Sequence, residues 1–309
     1  MTPTFTILTC TYNRPEMLGR VFASLQAQRW HDMEWLVIDD GSTDARAVEQ
    51  ALATCAATAD FPIRGVRQPN GHKKSAVNRG VREARGELLI VLDDDDELAP
   101  DTLHRLHDAW LSIPSERRAR FVGVTGLCAR PDGSVVGDRY PRDVLDCTAT
   151  EMHFKWRVSG EKFGCQRTEV LRRFPYPEDV PGFVPESLVW WAMARAGYLN
   201  RFVNQVFRVY HPTAVSLSTT FSAAQPHAAG LYLLNWQLLQ AEWRYVRYAP
   251  WRFVAAALRL TRYRAALRRN DPGQVLTAYP LTHPVGRVLV KLLSPLAYVL
   301  VWRDRIGRR

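Results

Sequence analysis

The sequence predicts an α/β protein: a mostly parallel, doubly wound sheet with helices on both faces, followed by a C-terminal helical segment. Three observations lead there. Short β-branched or aromatic runs alternate with helical spacings through the first 110 residues. Two of the apolar runs end in clustered carboxylates, as expected where a parallel sheet offers the carboxyl ends of its strands to a ligand. The charge is also uneven. The chain carries +10 overall, yet from Gly230 to Arg309 there are 14 Arg or Lys against 3 Asp or Glu, so the part before Gly230 is nearly neutral.

In chain order, strands are expected at Phe5–Thr9, Glu34–Ile38, Ile63–Arg67 and Glu87–Leu92. Between the first two, Met17, Leu18, Val21, Phe22 and Leu25 share a helical face, with Pro15 suited to the first turn. Ser42-Thr43-Asp44 can cap a helix through Val48, Leu52 and Cys55. Ala76, Val77, Gly80, Val81 and Ala84 repeat the spacing before the fourth strand. This βαβαβαβ order is what implies a parallel sheet. From Phe121 a hairpin is expected, with Phe121–Cys128 turning through Pro131-Asp132-Gly133-Ser134 into Val135-Val136. A Pro-rich stretch, "FPYPEDVPGFVPES", then leads into a helix at Leu188–Ala196. The pattern divides the chain into a domain over 1–220, with halves 1–110 and 111–220, and a basic, aromatic-rich helical region over 221–309.

Composition narrows the class further. With 47% hydrophobic and 23% charged residues the chain can bury an ordinary core. Five dispersed cysteines with no C-x-x-C pair are a poor disulfide framework and a poor zinc site, so a reducing, cytoplasmic setting is expected. The first ten residues, MTPTFTILTC, have no basic run ahead of an apolar one, and no secretory signal is expected.

The strand expected at Glu87–Leu92 runs into Asp93-Asp94-Asp95-Asp96-Glu97. Like charges this close repel, and more strongly beside an apolar core. A solvated acidic turn is the plain reading. The sharper one is a site for a hard divalent cation, Mn²⁺ or Mg²⁺, which carboxylate oxygens suit and which also binds phosphates. Asp39-Asp40 stands at the end of a second apolar strand, and a turn with a helix cap explains only Ser42 to Asp44.

Four segments in order, "TILTCTYNRP" at 6–15, "VIDDGSTD" at 37–44, "NGHKKSAVNRGV" at 70–81 and "LDDDDELAPD" at 92–101, resemble the motifs of family 2 glycosyltransferases. The resemblance covers about the first 110 residues and continues weakly to about 220. It implies a GT-A fold, inversion at the transferred sugar and a metal-assisted nucleotide-sugar donor, in particular a UDP-sugar. It implies that Thr9 and Tyr12 line the nucleotide pocket and that Asp39 receives the base or ribose. Lys73 and Asn78 lie in the third motif, where His72 replaces a glycine and Lys74 a histidine of the usual pattern. In the D-x-D motif Asp93 faces the ribose and Asp95 holds the metal, with Asp94 or Asp96 assisting. Inversion needs a base opposite the leaving group. The resemblance gives that role to Glu186 in "FVPESLVWW", with Asp179 as runner-up. The plain alternative for Glu186 is favourable electrostatics at a helix start. His211 is a further candidate metal ligand, though a lone histidine after a strand is more often structural. The acceptor implied is a polysaccharide or lipid-linked saccharide at the inner membrane face.

Within 285–302, Arg287, Lys291, Ser294 and Tyr298 share one helical face, and Val288, Leu289, Leu292, Leu293, Leu296 and Val299 the other. That pattern suits a helix lying in the interface of an anionic membrane surface rather than crossing it. Packing on the catalytic domain or on a second copy in a homo-oligomer is the alternative. No nucleic-acid module is visible. Two other functions stay open: a membrane-bound nucleotide-binding scaffold without turnover, and a nucleotidyltransferase, the latter disfavoured because no Gly-rich phosphate loop is present.

Overall fold

A computed structural model describes residues 2–211, 227–268 and 274–306. The first part runs β1 (Phe5–Thr11), α1 (Leu18–Gln26), β2 (Met33–Asp39), α2 (Ala45–Ala56), β3 (Ile63–Arg67), α3 (His72–Glu83) and β4 (Leu88–Val91). It continues with β5 (Glu97–Leu98), α4 (Thr102–Leu111), α5 (Ser115–Arg118), β6 (Phe121–Ala129), β7 (Val144–Cys147), α6 (Ala149–Phe154) and β8 (Lys162–Arg167). Then follow α7 (Thr168–Arg173), α8 (Ser187–Arg195), β9 (Leu199–Val209), α9 (Ala228–Ala241), α10 (Pro250–Leu267), α11 (Val275–Ala278) and α12 (Pro284–Ile306).

The strands form one sheet in the order β3-β2-β1-β4-β8-β6-β9-β5, with β7 on β9. The first four are parallel, as their alternation with helices requires. The rest of the sheet departs from the mostly parallel expectation. β8 enters antiparallel between β4 and β6, and β5 and β7 pair antiparallel with β9, while β6 and β9 are parallel. The sheet is therefore mixed. The hairpin expected after Phe121 shrinks to a single bridge, Ala129 to Val135, because β6 is taken up on both sides by β8 and β9.

Side chains alternate across β1, and this puts helices on both faces. Phe5 and Ile7 are fully buried with Leu18, Val21 and Leu25 of α1 and Leu103 and Leu106 of α4. Leu8 points the other way, where Gly80 of α3 comes so close that an added Cβ would lie 2.2 Å from Leu8 Cδ1. On that face Glu34 is also buried. It accepts from Thr6 Oγ1 (2.7 Å), Arg64 Nε (2.9 Å) and the Arg85 N–H (2.8 Å). Asp44 caps α2 by accepting from the Ala47 N–H.

The chain divides into two compact units, Met1–Pro175 with Ala192–Ala214, and Tyr176–Trp191 with Val215–Arg309. The boundary expected at 220 lies outside the described residues, and most of the Pro-rich segment, from Tyr176 on, groups with the C-terminal helices. Within that second unit Gly230 of α9 lies under the Phe183 carbonyl, and Phe253, Ala257 and Leu260 of α10 are buried. No helix among the described residues is long and apolar enough to cross a membrane.

Candidate active site

Parallel strands β1, β2 and β4 end together, and the residues just past them carry the chemistry. After β4 the chain closes a tight turn, the Asp96 N–H donating to the Asp93 carbonyl at 3.2 Å. The turn separates the four aspartates into two kinds. Asp94 and Asp96 point inward, their side chains only 2% and 3% exposed. Asp93 and Asp95 point outward, at 33% and 18%.

Each inward carboxylate has its own set of donors, as burial of a charge demands. Asp94 accepts from Thr11 Oγ1 at 3.0 Å and pairs with Arg14. Asp96 pairs with Arg208 Nη1 at 3.0 Å and accepts the His211 N–H at 3.2 Å. Burial nonetheless outweighs these partners. It pushes the Asp94 carboxyl up to about 6 against the pull of Arg14, and that of Asp96 up to about 7 against Arg208. The outward pair is held by cations of the rim. Lys73 Nζ lies 2.6 Å from Asp93, and Arg14 Nη1 lies 3.1 Å from Asp95. Asp93 is crowded by protein atoms and burial opposes its charge, but Lys73, then Arg208 and Arg14, hold its carboxyl below the ordinary range.

Asp93, Asp95 and Asp96 each offer a carboxylate oxygen, and these oxygens lie within 4.8 Å of one another. Three hard oxygen donors converging beside two further carboxylates fit Mg²⁺ or Mn²⁺ better than a soft metal. Protein cations offset part of the charge of the turn.

The neighbouring wall is built by β2 and β3. Asp39 accepts from the Ser42 N–H (2.9 Å) and from Arg67 Nη1 (2.9 Å), while Arg67 Nη2 donates to the Ser42 carbonyl at 2.8 Å. Asp40 accepts from Gln68 Nε2 and the Gly71 N–H. Gly41 between them has φ +82°, and a Cβ there would meet the Asn70 nitrogen at 2.7 Å, so the position needs glycine. Asn13 joins the two loops: its N–H donates to Ser42 Oγ and its side chain accepts from Thr43.

The expected site residues separate accordingly. Asp39, Lys73, Asp93, Asp94, Asp95 and Asp96 all belong to the strand-end region, as does Tyr12, which is 47% exposed just past β1. Asn78 is buried on α3. Thr9 departs from expectation: it is fully buried inside β1 and its hydroxyl accepts from Trp35 Nε1 at 3.1 Å. Thr11, two residues on, is the threonine that reaches the acidic turn. His211 does reach the turn, but its Nε2 lies 2.9 Å from Glu97 rather than among the three converging carboxylates. His72 keeps φ +66°, a left-handed conformation that favours the glycine it replaces. Glu186 and Asp179 belong to the second unit. Glu186 is exposed and its carbonyl starts α8, accepting from the Val189 and Trp190 N–H groups. Asp179 is exposed too and accepts from the Tyr279 hydroxyl at 3.4 Å.

Three arginines carry parts of this network with no role read from the sequence. Arg14 lies inside the quoted "TYNRP" but the motif assigns it nothing. Arg67 ends a strand, where it reads as a solvated cation. Arg208 is 6% exposed in β9 and also pairs with Glu161 at 3.0 Å. Its only signal is a lone charge in the otherwise apolar run Val206-Phe207-Arg208-Val209.

Residues 6–115 match the family described as Glycosyl transferase family 2. Over 277 residues the chain is 24% identical to the GalNAc(5)-diNAcBac-PP-undecaprenol beta-1,3-glucosyltransferase of Campylobacter jejuni, covering 87% of this chain and 84% of that relative. Other curated relatives match over 93 to 155 residues, and the chain spans 15% to 34% of their length. Among solved structures, S. aureus TarS 1-349 in complex with UDP-GlcNAc has a TM-score of 0.63 at 16% identity, covering 96% of this chain and 86% of that one. Mannosyltransferase PcManGT from Pyrobaculum calidifontis, in complex with GDP-Man and Mn²⁺, has a TM-score of 0.56 at 19% identity, covering 98% and 88%. At such identities the structural likeness establishes the fold.

Proposed function

We propose that this chain, whose residues 6–115 match family 2 glycosyltransferases and whose fold is of the GT-A kind, moves a sugar, with inversion, from a UDP-sugar to a hydroxyl of a lipid-linked saccharide. The observation that carries the reading is the convergence of Asp93, Asp95 and Asp96 within 4.8 Å at the end of β4. Asp39 on the neighbouring strand end supports it, because its oxygens retain lone pairs for a base or ribose after Ser42 and Arg67 have used one each. Those three aspartates would hold Mn²⁺ or Mg²⁺, which when bound offsets the charge of a departing diphosphate. A fold neighbour was solved with Mn²⁺, another with UDP-GlcNAc, and the Campylobacter relative is named for an undecaprenol-linked acceptor.

The protein's own groups divide the remaining work. Asp39, with Tyr12 beside it, orients the nucleotide. Lys73 and Arg14 have exposed rims and supply positive charge next to the diphosphate. Glu186 takes the proton of the acceptor hydroxyl as its oxygen attacks the anomeric carbon opposite the leaving group. Asp179 is the weaker candidate because Tyr279 already engages it. A lipid-linked acceptor would put the enzyme peripherally on the inner face of the cell membrane.

Transfer from labelled UDP-sugars to a soluble acceptor analogue tests the assignment. Glu186→Gln should bind donor as the native protein does and lose turnover by about a hundredfold or more. Native turnover in that variant would move the base to Asp179 or elsewhere.

A further inference from the structure

Soluble helices turn their large aliphatic side chains inward. α12 does so with only one of its two apolar stripes. Gly286 and Ala297 are buried, with Leu289, Val290 and Leu293 half-buried between them on the same side. Gly286 fits so close to α9 that a Cβ would lie 2.8 Å from the Leu239 carbonyl. The second stripe faces out: Val285 is 52% exposed, Val288 58%, Leu292 70% and Leu296 61%. Their spacings of three, four and four residues align them along one side of the helix. The apolar face expected from the sequence is therefore split. Leu289 and Leu293 pack inward, while Val288, Leu292 and Leu296 are left uncovered.

We propose that this outward stripe of α12 docks in the headgroup region of an anionic phospholipid bilayer. Three features select that occupant. Arg287 and Lys291 are exposed and interleave with the stripe, so one lateral edge of the apolar surface is cationic. The segment from Gly230 onward carries 14 basic residues against 3 acidic ones, a field that favours anionic lipid over a neutral apolar partner. No described helix can span a bilayer, so an exposed amphipathic helix lies in the plane of the surface. Tyr298, 50% exposed on the basic edge, and Trp251, 80% exposed at the start of α10, are of the type that settles at headgroup depth. This deepens the peripheral placement and rests on it only for the identity of the acceptor. The stripe itself is independent of any transfer reaction.

The test uses the full chain in co-sedimentation with vesicles of phosphatidylcholine alone or mixed with phosphatidylglycerol, at low and high salt. The native protein should partition onto the phosphatidylglycerol vesicles and leave them as salt is raised. Arg287→Gln/Lys291→Gln should lower partitioning about tenfold or more. Leu292→Glu/Leu296→Glu should abolish it while leaving thermal melting and transfer to a soluble acceptor unchanged, since all four side chains are exposed. Equal sedimentation of native protein and variants would overturn the proposal, as would its absence in a folded monomer. A dimer by sedimentation velocity that Leu292→Glu dissolves, without lipid binding, would reassign the stripe to a second copy. Loss of transfer with intact vesicle binding would count against the transferase reading alone.

Discussion

The acidic turn after β4 and the outer side of α12 depart from ordinary residue partition in opposite senses. At the turn, two carboxylates are taken inside, and each is matched by a buried or half-buried cation and at least one further donor. On α12, four aliphatic side chains are left more than half exposed. Both arrangements cost free energy, but they differ in what relieves the cost. A buried charge must find its partners within the fold, because water cannot reach it. An exposed apolar stripe is relieved by something that comes from outside. The buried carboxylates of the first region therefore find their partners within the fold, whereas the stripe of the second can be covered only from outside it.

If that contrast is right, the largest effect of a single substitution should fall inside the acidic network. Arg208→Gln leaves Asp96 buried opposite an uncharged partner, and urea unfolding well above pH 7, where that carboxyl is ionised, should register a loss of about 3–5 kcal/mol. Adding Asp96→Asn should restore part of it, since the orphaned charge is removed. Additive losses in the double variant would mean that Arg208 acts by packing on Phe163 and Tyr210 instead.

A smaller effect should appear at Glu34, another buried carboxylate of the first unit with a full set of donors. Burial raises its pKa, but Arg64, Thr6 and the Arg85 N–H together pull it below its ordinary value of 4.5. A carboxylate that is more acidic in the folded state than unfolded adds stability above its unfolded pKa. That stability is lost as pH falls through the lower folded value. Denaturant midpoints should therefore drop on acidification below about pH 4.5, and Glu34→Gln should flatten this limb at a cost near neutrality of about 1.5–3 kcal/mol. An unchanged acid limb in the variant would remove Glu34 from the network. On α12, by contrast, the paired glutamate substitutions described above should leave unfolding nearly untouched.

The same contrast explains what could be read in the sequence. β1 to β4 and their helices were legible because each is an apolar run or a periodic face closed by a turn or a cap, such as Asp44. β8 was not, since nothing local tells Lys162–Arg167 to insert antiparallel beside β4. That choice belongs to pairing partners far away in the chain. The carboxylates were legible as a group, but their division into Asp94 and Asp96 inside and Asp93 and Asp95 outside follows from a turn whose register four identical residues conceal. Thr9 was assigned to the pocket by the resemblance, on a strand expected to end there, but the strand runs on to Thr11. Arg14 and Arg208 were missed for a simpler reason: a cation's partner is visible only in three dimensions. The tail's amphipathic pattern was legible, yet the sequence could not say that α12 has two apolar stripes and buries only one.

The most direct test of the acidic turn as a nucleotide site is calorimetric titration of UDP, with Mn²⁺ and with a chelator, on native protein and Asp95→Ala. Binding to the native protein should weaken by roughly 1.4 kcal/mol or more, a tenfold change, when the metal is removed. Asp95→Ala should melt normally and show no such metal dependence. Equal UDP affinity with and without metal in the native protein, or a metal effect that persists in Asp95→Ala, would contradict it.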